Sequence, residues 1–131
     1  SAQVATSGGT PSQSAVNAST VAALRAQGLP ARSLSFTDRS DGGIDVVDTA
    51  TGRTLDTMHG EQGFLRGTLR SFARERKLRH LGRESTLLLT GQGQTLAVAD
   101  PATGQRIELA AFGHTNAAVF ARWIDQEPST P

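Results

Sequence analysis

The sequence contains no cysteine and no tyrosine, and aromatic side chains make up only 5% of its 131 residues. Without cysteine there is no disulfide framework, no thiolate metal site, no cysteine nucleophile and no covalent c-type haem attachment, so the fold must stand on packing alone. Long apolar runs are also missing: the uninterrupted stretches are only a few residues, as in Leu87, Leu88 and Leu89, far short of the roughly 20 residues that cross a bilayer. Nothing reads as a signal peptide. No GxSxG elbow, HExxH pair, P-loop or dinucleotide glycine fingerprint occurs. His59, His80 and His114 stand at no metal-site spacing from one another or from an acid. Acid pairs such as Asp41 with Asp45, or Asp38 with Asp41, fall in turns where solvated carboxylates are ordinary. These absences leave no catalytic signature, no cofactor and no metal site.

What is present suits one domain. A hydrophobic share of 37%, supplemented by 14 glycines, is the globular norm and excludes wholesale disorder. Residues 1–19 carry no charged side chain and are mostly Ser, Ala, Gly, Thr and Gln; such a composition predicts a flexible linker. Ser19 or Thr20 can cap a short helix over Val21–Leu24 that Gly28 and Pro30 stop, making 20–32 a short helix and connector. The single folded domain is expected over 33–127, with a disordered tail at 128–131.

From Ser33 the pattern becomes one of short alternating runs punctuated by turns. Leu34 and Phe36 share a face before a turn at Asp38–Gly43; Ile44–Val47 follows, then a turn at Asp48–Gly52 and a third run from Arg53 to Met58. The segment GFLRGTLRSFARERK at 63–77 places Leu65, Leu69, Phe72 and Ala73 on one helical stripe.

The second half repeats this plan. IDVVDTATGRTLDT at 44–57 aligns without gaps to LAVADPATGQRIEL at 96–109, with Val46, Asp48, Ala50, Thr51 and Gly52 identical to Val98, Asp100, Ala102, Thr103 and Gly104. Phe72, Ala73 and Arg74 recur as Phe120, Ala121 and Arg122. The expected fold is α+β: two pseudo-symmetric β-β-β-α repeats, 34–77 and 86–124, with antiparallel strands and two amphipathic helices sharing one core. Asp48, Gly52, Asp100 and Gly104 read as structural turn residues, the acids accepting turn amides and the glycines taking positive φ.

Charge is segregated. Residues 66–83 hold seven of the 13 basic residues against one acid, Glu75, so this segment carries +6 and the rest of the chain −5. Arg66, Arg70, Arg74 and Lys77 form a cationic stripe on the helix. Like charges at that spacing repel by a few tenths of a kcal/mol per pair, which makes the stripe a candidate surface for an anionic partner. Nucleic acid is disfavoured as that partner, because no aromatic stacking platform is interleaved with the basic residues. In the last helix, AFGHTNAAVFARWI at 111–124, Thr115 or Asn116 is the expected cap and Phe120 a core residue, while Trp123 is a candidate exposed aromatic for docking.

Three segments in order, GFLRGTLRSFARER at 63–76, DPATGQRIEL at 100–109 and AFGHTNAAVFAR at 111–122, together with LSFTDRSDGGIDVVDTATG at 34–52, resemble the photosynthetic complex assembly proteins of purple bacteria known as PuhC. The resemblance implies a periplasmic domain preceded by a single membrane-spanning helix that lies outside this sequence, with residues 1–19 as its tether. It further implies a non-enzymatic factor that helps the reaction centre and light-harvesting 1 ring assemble, acting through contacts with their polypeptides or other assembly factors, or with anionic lipid headgroups. A ligand-binding module, holding a lipid, pigment precursor or small anion in the cleft between the repeats, is the alternative.

Overall fold

The computed structural model describes residues 13–60, 63–82, 86–92 and 95–125. The β-rich runs of the sequence form six strands: β1 (Ala31–Asp38), β2 (Ile44–Asp48), β3 (Arg53–Met58), β4 (Leu87–Gln92), β5 (Thr95–Asp100) and β6 (Gln105–Glu108). All pair antiparallel in one sheet of order β3-β2-β1-β4-β5-β6, making an α+β fold with three helices, α1 (Gln13–Ala26), α2 (Gly63–Leu78) and α3 (His114–Asp125). Each hairpin run is consecutive, and β1 and β4 meet at the centre, where Leu34 lies opposite Leu87.

Period-two alternation decides which face is buried. Leu34 and Phe36 of β1, Ile44 and Val46 of β2, Leu87 and Leu89 of β4 and Val98 of β5 build the main core, covered by Leu65 and Phe72 of α2 and by Phe120, Trp123 and Ile124 of α3. Burial of each large side chain contributes on the order of 1.5–3 kcal/mol. The opposite face carries a smaller cluster, Ala31 and Leu88 beneath Val21 of α1.

Helix α1 begins at Gln13, so residues 13–19 are helical rather than linker; residues 1–12 and the tail at 128–131 lie outside the described residues. Tertiary packing holds this helix on the sheet: Asn17 is buried and its Nδ2 donates to Ser33 Oγ at 3.4 Å, while the Thr20 hydroxyl, an expected cap, donates back to the Val16 carbonyl within the helix at 3.1 Å. Helix α3 likewise starts ahead of Thr115 and Asn116. It follows a 3-10 turn at Leu109–Phe112, and the Gly113 carbonyl accepts the Ala117 N–H at 3.1 Å, opening the helix there.

Candidate functional site

The two DxATG elements are hairpin corners with closely matched bonding. Asp48 Oδ1 accepts the Ala50 and Thr51 amides at 2.8 and 3.3 Å, and Asp100 Oδ1 accepts the Ala102 amide at 3.0 Å. Gly52 and Gly104 sit at φ 76° and 82°, each returning its N–H to the preceding Asp carbonyl at 2.7 and 2.8 Å. Both carboxylates are also buried against arginine, but from different elements: Arg32 of β1 meets Asp48, and Arg76 of α2 meets Asp100 through Nε at 2.5 Å and Nη2 at 2.9 Å. The second pair fastens α2 to the β5–β6 turn. Among the described residues of the basic segment, Arg76 is therefore the one that turns inward.

The remaining cations of α2 divide. Arg66 donates from Nη1 to Asp38 Oδ1 at 3.0 Å and from Nη2 to the Gly42 carbonyl at 2.7 Å, tying the start of α2 to the β1–β2 hairpin. Arg79 pairs with Glu75 one turn earlier at 3.1 Å. Arg70, Arg74 and Lys77 are exposed, and among the described residues none of the three has an ion-pair partner. They span about 10 Å along the helix and line a groove of about 870 Å3 with Ala73, His80 and Leu81.

The groove is shaped by how α2 ends. His80 takes φ 60°, the His80 N–H reaches the Lys77 carbonyl at 3.0 Å, and the Leu81 N–H reaches the Arg76 carbonyl at 2.9 Å. This is a Schellman closure whose left-handed position, usually glycine, is occupied by histidine, so backbone strain is stored at the groove wall. The closure turns Leu81 outward at 39% exposure beside Leu78 at 66%. Cations and bare leucines thus share one end of the helix. This apolar component had no signal in the charge pattern, since Leu78 and Leu81 look like ordinary helix and loop residues in sequence.

Trp123 is not part of this surface. It is 0% exposed, its ring centroid 4.7 Å from that of Phe120 and 6.0 Å from that of Phe36. Its indole N–H donates to Asp56 Oδ2 at 2.9 Å, which satisfies the one polar atom that burial would otherwise leave costly. Arg122 reaches the same carboxylate oxygen at 3.1 Å, so Asp56 joins β3 to α3. The expected exposed aromatic is a core residue because its partners come from strands distant in sequence.

Among the described residues, the cavity where α2 faces α3 does not reach the size of a ligand site. Lined by Met58, Phe64, Val119 and Phe120, it is about 120 Å3, below the roughly 300–1,000 Å3 of small-molecule sites. Among the described residues no three His, Asp or Glu side chains group to hold a metal ion, and no described helix is long and apolar enough to cross a membrane.

A family model described as photosynthetic complex reorganisation protein PuhC matches residues 29–127. The chain belongs to the PuhC family. No curated protein and no solved structure matches it. The PuhC match covers the whole six-stranded sheet, α2 with its groove, and α3, while α1 lies before its first residue. Membership gives this PuhC-family chain a role in photosynthetic complex reorganisation, with polypeptides of that complex as the expected class of partner.

Proposed function

We propose that the domain is a non-enzymatic assembly factor that acts by protein contacts with reaction-centre and light-harvesting 1 polypeptides, on the periplasmic side of the membrane. In this reading an N-terminal helix outside the present sequence holds the full-length protein in the bilayer. The observation that carries it is the groove on α2: Arg70, Arg74 and Lys77, unpaired among the described residues, beside the exposed Leu78 and Leu81. Cations in such a setting steer an acidic partner into contact, and adjacent apolar groups supply the desolvated area that holds it. Arg66 contributes by fixing the start of the helix rather than by meeting the partner.

The two halves are read as β-β-β-α repeats. Five identical positions in the aligned turns, closely matched Asp48 and Asp100 bonding, and Leu34 opposite Leu87 at the sheet centre support that reading. On this view the repeated residues serve folding, and function resides in what the repeats do not share, the basic end of α2.

A photo-crosslinking residue at Ala73 or Lys77 of the full-length protein in photosynthetic membranes tests the contact. Adducts with reaction-centre or light-harvesting 1 polypeptides are expected from these positions and not from Thr54, on the exposed edge strand. Equal adducts from Thr54, or none from α2, would remove the proposal.

A further inference from the structure

A second cavity, of about 580 Å3, opens between α1, the start of β1 and the β2–β3 turn. Its two sides differ in chemistry. Ala18, Val21 and Ala22 lie one helical turn apart and give an apolar wall, which Arg25 continues one turn further on. Arg32 and Arg53 line the sheet side. The Arg25 Nε donates to the Ala31 carbonyl at 2.9 Å, which holds its guanidinium at the strand entrance.

Among the described residues of this lining Asp48 is the one acid, and its carboxylate is already engaged: Oδ2 accepts from Arg32 at 2.5 Å and Oδ1 accepts the turn amides of Ala50 and Thr51. Among the described lining residues, three guanidinium groups against one carboxylate give a formal charge of +2. Arginine forks match the planar oxygens of carboxylates and phosphates. The volume also falls within the range of small-molecule sites.

We propose that this cleft binds a small anionic amphiphile, a carboxylate or phosphate head at Arg25 and Arg53 with a short apolar chain along Ala18, Val21 and Ala22. The site is distinct from the α2 groove and does not depend on the function proposed for it. Half of it is contributed by α1, which precedes the region matched by the family model.

Titration calorimetry of the 131-residue chain with octyl phosphate and octanoate, below their micelle concentrations, tests the site. Inorganic phosphate and octyl glucoside separate head from chain. Saturable one-to-one binding of the octyl anions is expected, weakening with added salt and falling about tenfold in Arg53→Gln. Ala22→Glu, on the exposed side of α1 and compatible with helix, should abolish binding while leaving the circular dichroism unchanged. Arg25→Gln should act like Arg53→Gln, and Arg53→Gln decides the matter if loss of the Arg25–Ala31 bond unfolds α1. Absence of saturable binding, equal binding of octyl glucoside or of inorganic phosphate, or variants that bind unchanged would each overturn the proposal.

Discussion

Replacing Arg76 with methionine isolates the contact that fixes α2 to the sheet. Asp100 is 0% exposed and Arg76 5%, and the two share bonds of 2.5 and 2.9 Å. Methionine fills much of the same volume but leaves the carboxylate buried with only the Ala102 amide at 3.0 Å and its own turn. Removing one partner of such a pair costs about 3–5 kcal/mol, because an uncompensated charge stays in a poorly solvated place. With a urea slope near 2 kcal/mol per M, the midpoint should fall by roughly 1.5–2.5 M. The single tryptophan, Trp123, is wholly buried and reports the transition by fluorescence, with far-ultraviolet dichroism as the second probe. Adding Asp100→Asn to Arg76→Met removes the stranded charge while keeping the turn acceptor, so most of the loss should return. The half-exposed Arg66–Asp38 pair provides the contrast: Arg66→Gln should cost no more than about 1 kcal/mol. A loss below about 1 kcal/mol for Arg76→Met, or a double variant no better than the single one, would refute the reasoning.

Gly104→Ala should destabilise by about 1 kcal/mol in the same urea assay: φ is 82° and an added Cβ meets nothing within 4 Å, so only backbone strain is at issue. His80→Gly should raise stability by up to about 1 kcal/mol, since it relieves the left-handed position at φ 60°; a loss would mean that the imidazole makes a compensating contact. Trp123→Phe keeps an aromatic ring but strips the donor from Asp56 and leaves a void where the larger indole was buried, and should cost about 2–3 kcal/mol by urea denaturation, more than any single exposed α2 cation. The Gly43 amide, with Arg39 beside it, holds the Asp41 carboxyl below the ordinary carboxylate value. Its folded value therefore lies below its unfolded one, so its stabilisation is present above about pH 4 and fades as pH falls through the lowered folded value. Carbon NMR titration should give an Asp41 midpoint below that of an unstructured aspartate; an ordinary midpoint would contradict the hairpin geometry.

Much of the fold was legible because its signals are local. Alternation bounded by Asp and Gly turns gave β2 and β3 almost to the residue, and the spacing of Leu65, Leu69 and Phe72 gave the buried face of α2. Features that depend on distant partners were not legible. Helix α1 extends back to Gln13, with Asn17 and Val21 packed against β1 and β4, strands that the uncharged composition of residues 13–19 does not announce. Arg76 looks like the other cations of the basic segment until Asp100 arrives from the second half. Trp123 is hidden by Phe36 and Asp56. For the candidate site, the charge of Arg70, Arg74 and Lys77 could be read from sequence, whereas the groove needed the closure at His80 and the outward leucines.

The most direct measurement is the binding of the full-length protein to isolated reaction-centre and light-harvesting 1 complexes across ionic strength, with Arg70→Glu, Arg74→Glu and Lys77→Glu combined as the comparison. Because these three side chains are exposed and unpaired among the described residues, the variant should fold with an unchanged urea midpoint. Binding by the parent chain should weaken steadily with salt, and the reversed variant should not bind. Salt-independent binding, or a folded variant that binds as well as the parent, would contradict the assignment of the α2 groove as the contact surface.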